Sequence, residues 1–90
     1  MVVIVYDIPD DKRRTKLSKF LEGYGRRTQW SVFECFLSLE EMRKLYQKVK
    51  KLVKPSEDNV RFYWLAEEAT GLTLTIGSEK PQPPPDYYVI

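Results

Sequence analysis

The sequence predicts a two-layer α+β sandwich, one sheet carrying two helices on a single face. Three observations predict it. The run Val2-Val3-Ile4-Val5-Tyr6 has the unbroken apolar character of a strand buried on both faces. Two later segments carry helical stripes, first Leu17, Phe20, Leu21 and Tyr24, then Met42, Leu45, Tyr46, Val49, Leu52 and Val53. The remaining order is strand, helix, extended segment, helix, strand, strand, with no internal repeat. A sheet with helices on one side leaves its other face needing cover, which favours dimerisation.

Each element has a chemical boundary. The first strand stops at Asp7-Ile8-Pro9-Asp10-Asp11, where Asp10 is a helix N-cap and the early acids suit the positive end of the helix dipole. Gly23 and Gly25 supply the stop. Thr28 to Leu37 is extended, either as one bent strand or as a tight pair of short strands. Ser38-Leu39-Glu40-Glu41 is a capping box, and Pro55 ends the helix it opens. Val60 to Leu65 is a strand, Ala69-Thr70-Gly71 a turn, and Leu72 to Ile76 a strand alternating apolar residues with threonine. Residues 1–78 form one domain and residues 79–90 a separate tail. In that tail Pro81-Gln82-Pro83-Pro84-Pro85 is a stiff spacer. The Tyr87-Tyr88-Val89-Ile90 that follows either adds to a sheet edge, as on a partner protomer, or ends in disorder.

Composition excludes more than it selects. The 90 residues contain no histidine and one cysteine, Cys35. Imidazole bases, Ser-His-Asp triads, cysteine zinc clusters and intrachain disulfides are therefore out of reach. Catalysis would have to use carboxylates, Lys or Arg, hydroxyls, or a hard metal held by oxygen. No apolar run is long enough for a membrane span, and the start lacks a basic signal region, so the cytoplasm is the expected compartment. A net charge of +2 is too small to argue for nucleic acid by itself. Its distribution says more. Lys12, Arg13, Arg14, Lys16 and Lys19 crowd one segment, with Arg26 and Arg27 just after it.

Asp7 is the sharpest candidate, a carboxylate closing a buried strand and facing a loop into a helix. Magnesium takes one or two carboxylates plus waters and phosphates, and it could there activate water and neutralise charge on a phosphodiester. An Asx-turn at Ile8-Pro9 is the plain structural alternative. One carboxylate is thin support for a metal; two copies related by a two-fold axis could bring two Asp7 residues together. Arg13, Arg14 and Lys16 lie within a turn or two of Asp7, able to bind phosphates or to remain a solvated helix face. Tyr6, Trp30, Phe33, Phe36, Tyr63 and Trp64 are core, interface or base-stacking residues. Ser31 lacks a base and is a weak nucleophile.

The blocks Val3-Ile4-Val5-Tyr6-Asp7-Ile8-Pro9-Asp10-Asp11-Lys12-Arg13-Arg14 and Gln29-Trp30-Ser31-Val32-Phe33-Glu34-Cys35 resemble those of the second universal CRISPR-associated protein, the smaller partner in spacer acquisition. The likeness spans essentially residues 1–76. It implies a ferredoxin-like fold with an antiparallel sheet, a symmetric homodimer with facing sheets, and a C-terminal strand exchanged between protomers. It also implies Mg²⁺-dependent cleavage of RNA or double-stranded DNA, with Asp7 as catalytic and metal-binding residue. Tyr6, Arg14, Phe33 and Arg27 occupy the family's further motif positions, and Arg13 and Lys16 join them as nucleic-acid contacts. Lys16 stands where some members carry arginine, which is not an equivalent group. The competing role is a non-catalytic dimeric adaptor bridging a larger CRISPR integrase subunit and DNA. A small ribonuclease or toxin of similar fold is the third reading.

Overall fold

The computed structural model describes residues 1–65 and 72–77. Its elements are β1 (Val2–Asp7), α1 (Asp11–Leu21), β2 (Arg26–Gln29), β3 (Val32–Cys35), α2 (Leu39–Leu52), β4 (Asn59–Trp64) and β5 (Leu72–Ile76). They form one antiparallel sheet in the order β2-β3-β1-β4-β5, with both helices packed on one face. This is the α+β sandwich expected from the sequence. The extended segment resolves into a tight strand pair turning at Trp30-Ser31. Residues 79–90, the expected spacer and exchanged strand, lie outside the described residues. No described helix is long and apolar enough to cross a membrane.

β1 is the central strand, paired with β3 on one edge and β4 on the other. Its alternation sorts its side chains. Val2, Ile4 and Tyr6 enter the main core with Leu17 and Leu21 of α1, Met42, Leu45 and Val49 of α2, and Phe33 and Phe62 of neighbouring strands. Val3 faces the other way, buried with Val32 and Tyr63, with Met1, Val5 and Leu65 packed around them. Asp7 has the same parity as Val3 and Val5, so the strand delivers it to the face away from the helices, exposed.

The caps form as the sequence indicates. The Asp10 side chain accepts from the Arg13 N–H at 2.9 Å, and Ser38 and Glu41 close a reciprocal capping box at 2.9 and 3.1 Å. Two stops differ in detail. α1 ends at Leu21, so Tyr24 lies beyond the helix and packs its ring 5.2 Å from Phe20. α2 ends at Leu52, before Pro55, because Val53 turns extended and buries its side chain. Gly25 is required by contact rather than by turn geometry, since a Cβ there would overlap Glu34 O and Cys35 Sγ on β3.

The loop between α2 and β4 is held to α1 by one buried carboxylate. The Asp58 side chain is fully buried and accepts Arg13 Nε at 2.8 Å, Arg13 Nη2 at 3.0 Å and the Lys54 backbone N–H at 2.8 Å. Burial raises the Asp58 pKa, but the Arg13 fork and the Lys54 N–H outweigh it and hold the carboxyl below its ordinary value of 3.8. Glu57 adds a weaker contact to Arg13 at 3.3 Å.

A depressed carboxylate contributes stability that is complete above its unfolded pKa and is lost as pH falls through its folded pKa. Wild-type protein should therefore lose stability as pH falls below about 4 in urea melts. Asp58→Asn should flatten that slope without abolishing it, because Glu41 is also held low by its bonds to Ser38. Asp58→Ala should cost about 2 kcal/mol at neutral pH, since it leaves the Lys54 N–H unpaired and the guanidinium without its fork.

Candidate functional site

The site is organised at the end of the sheet where β1 finishes. Directly across from Asp7 on β4 is Asn59. On the β3 side the ladder ends at Val5 and Val32, and the Tyr6 N–H then donates to Ser31 O of the hairpin turn at 3.1 Å. Asp7 thus sits at the end of the central strand, paired with β4, its carboxylate exposed. The Asn59 Nδ2 is buried without a protein partner. Among the described residues no three of His, Cys, Asp or Glu converge to hold a metal. One exposed carboxylate still matches the way magnesium is held, by few protein oxygens with water and phosphate completing the shell.

The other sequence candidates divide between faces. Tyr6 points into the helix-side core and stacks on Phe33 with ring centres 6.3 Å apart. The Arg27 guanidinium lies 5.9 Å from the Phe33 ring centre and 5.9 Å from that of Trp30, so it is held between the two rings. Its Nη2 also donates to Ser18 Oγ on α1. A β-bulge at Thr28 makes this possible. Arg27 pairs with Phe33 while Gln29 pairs with Val32, so the extra residue turns Arg27 to the helix side and Gln29 to the opposite face.

Arg14 lies on the helix side. Its Nη1 donates to Ile8 O at 3.0 Å, next to Asp7, and its Nη2 pairs with Asp11. Arg14 lines a cavity of about 180 Å³ with Tyr6, Ser18, Lys19, Arg27 and Trp30. The structure therefore gathers Tyr6, Arg14, Arg27 and Phe33. Arg13 is engaged instead with Asp58 and Glu57, on the side of α1 that meets the α2–β4 loop. Lys16 is exposed on an outer patch with Lys12 and Lys19.

Cys35 is buried, and burial pushes its thiol up to about 11, so it is protonated at neutral pH and unsuited to nucleophilic attack. Two residues gain importance from the fold. Lys19 faces the same cavity as Arg14 and Arg27. Trp30 is 75% exposed at the hairpin turn, although tryptophan is not a turn-forming residue. That mismatch was the available signal, hidden while the segment read equally well as one bent strand.

Arg27→Ala should cost about 1 kcal/mol of stability, the scale of a cation–aromatic contact near the surface. It should also free the Trp30 ring, read as a loss of tryptophan near-ultraviolet dichroism that Arg27→Lys restores only in part.

Comparison with known proteins agrees with this architecture. The family model described as "CRISPR associated protein Cas2" matches residues 1–71. A protein of Synechocystis sp. named CRISPR-associated endoribonuclease Cas2 3 is 49% identical over 75 residues, covering 83% of this chain and 77% of that protein. A Thermus thermophilus protein named CRISPR-associated endoribonuclease Cas2 is 47% identical over 78 residues, covering 87% and 83%. Among solved structures, Streptococcus pyogenes Cas2 superposes with a TM-score of 0.66 at 30% identity, covering 73% of this chain and 86% of that one. A hypothetical protein TT1823 from Thermus thermophilus gives a TM-score of 0.69 at 39% identity, covering 81% and 92%. With its sequence blocks, its strand order and these likenesses in accord, the chain belongs to the Cas2 family of CRISPR-associated proteins.

Proposed function

We propose that two copies of this chain form a metal-dependent endonuclease of spacer acquisition in antiviral defence, hydrolysing phosphodiesters in RNA or double-stranded DNA. The observation that carries the reading is the placement of Asp7, an exposed carboxylate at the end of the central strand, one residue before the Ile8 carbonyl that holds Arg14. The nuclease names of the relatives support the class of reaction. Asp7, joined by the Asp7 of a second copy, would hold Mg²⁺. Such an ion supplies an activated water and neutralises charge on the phosphate.

The remaining work falls to this chain's own groups. Arg14 receives a non-bridging phosphate oxygen and stabilises the charge that builds during attack. Its bond to Ile8 O keeps the guanidinium at the end of β1. Lys19, in the same cavity, adds a second cation for the phosphate backbone. With no histidine in the chain, no imidazole relays the proton, and water or phosphate oxygens take it.

The second reading, a dimeric adaptor bridging integrase subunits and DNA, draws support from the basic groups Arg14, Lys19 and Arg27 that line one cavity. Cleavage of labelled RNA and of duplex DNA, with Mg²⁺ and with EDTA, separates the two. The nuclease reading expects wild-type cleavage that stops in EDTA, and Asp7→Asn protein that binds but does not cut. Cleavage that persists in Asp7→Asn removes Asp7 from the mechanism. Salt-sensitive DNA binding weakened by Arg14→Ala, without cleavage by the wild type, favours the adaptor.

A further inference from the structure

The outermost ring of the aromatic column is the least explained feature of this surface. Trp30 is 75% exposed, in a turn where a small polar residue would serve the backbone better. Its ring is nonetheless supported. Arg27 lies 5.9 Å beneath it, Phe33 lies 5.9 Å beyond the guanidinium, and Tyr6 stacks on Phe33 in the core. Ser18 fixes the guanidinium from α1. One face of the indole is thus occupied by protein while the bulk of the ring meets water.

The cavity beside this ring is lined by the basic groups Arg14, Lys19 and Arg27 against a single acid, Glu22. At about 180 Å³ it has room for a phosphate and its waters, taking roughly 30 Å³ for each water. An aromatic face beside convergent cations is the arrangement that holds single-stranded nucleic acid, the ring taking the base and the cations the backbone. A base inside a duplex has both faces covered by its neighbours, so the ring can accept only an unpaired or terminal base.

We infer that the groove between α1 and the β2–β3 hairpin is a subsite for one unpaired nucleotide, whose base stacks on Trp30 and whose phosphate is received by Arg14 and Lys19. The subsite rests on the nucleic-acid reading given above and deepens it. Ser31, next to Trp30, accepts the Tyr6 N–H one residue before Asp7, so a nucleotide anchored there lies near the end of β1. Arg27 acts as a positioning residue, holding the ring at the angle a base requires.

The chain has two tryptophans, Trp30 and Trp64, so Trp64→Phe protein reports on Trp30 alone. Its emission is followed while a short single-stranded oligonucleotide, an abasic oligomer of equal length and a blunt duplex are added at fixed salt. Saturable quenching by the single strand is expected, with affinity about tenfold lower for the abasic oligomer. Trp30→Ala, followed with a labelled oligonucleotide, should show the same tenfold loss, and Trp30→Phe should recover most of it.

Equal affinity for the abasic oligomer, or quenching by the duplex as strong as by the single strand, overturns the subsite. So does equivalent quenching by oligoglutamate, which would mark an acidic protein partner instead. The Asp7→Asn protein separates this inference from the nuclease reading. Quenching that survives where no variant cuts supports the subsite while the nuclease reading fails. Cleavage that depends on Asp7 but is unchanged by Trp30→Ala sinks the subsite alone.

Discussion

The central position of β1 is the constraint on which the rest of the molecule depends. Its backbone is hydrogen-bonded on both edges and its side chains as far as Tyr6 are buried on both faces, Val5 alone only partly, so neither its register nor its face can slip. The strand's alternation then sends its last two residues apart. Tyr6 is driven into the helix-side core, and Asp7 is delivered to the other face. A slip of one residue would bury the carboxylate and expose the phenol, losing both the packing and the chemistry. The candidate site is therefore two-sided, with an aromatic and arginine column beneath the helices and a carboxylate on the opposite surface. Arg14, on the helix side, is bonded to Ile8 O, one residue after Asp7.

Secondary contacts preserve that arrangement. Asp58 ties α1 to the entry of β4, and β4 supplies the Asn59 that stands opposite Asp7. The fork from Arg13 thus positions the helix that carries Arg14. The basic residues of α1 consequently do different things despite their adjacency, as Arg13 braces the fold, Arg14 faces the site and Lys16 faces solvent. The bulge at Thr28 plays the corresponding part on the other side, since Arg27 reaches Phe33 and Trp30 only because of it.

Much of this was legible in the chain. β-Branched residues around Ile4, the Asp10 cap, the Ser38–Glu41 box and the periodicity of α2 each carry a local physical signal, and each forms as read. The hairpin was ambiguous because Trp30-Ser31 has none of the glycine or asparagine that marks a two-residue turn. Pairing with β1 imposes that turn, a long-range effect that composition does not display. Asp7 was visible as a strand-terminal carboxylate, but its neighbour Asn59 is brought to it by register alone. Arg13 looked like a phosphate contact because its partner, Asp58, lies far along the sequence. A run of charges shows where basic groups are concentrated; tertiary pairing decides which of them are engaged.

We propose Asp7 as a metal-binding carboxylate completed by its counterpart in a second copy. Titration of the full chain with Mn²⁺, followed by the loss of the free-ion paramagnetic resonance signal, tests it without relying on activity. The account expects binding at about one ion per two chains, abolished in Asp7→Asn protein that keeps its fold and its oligomeric state. Binding of equal strength and stoichiometry in Asp7→Asn would contradict it.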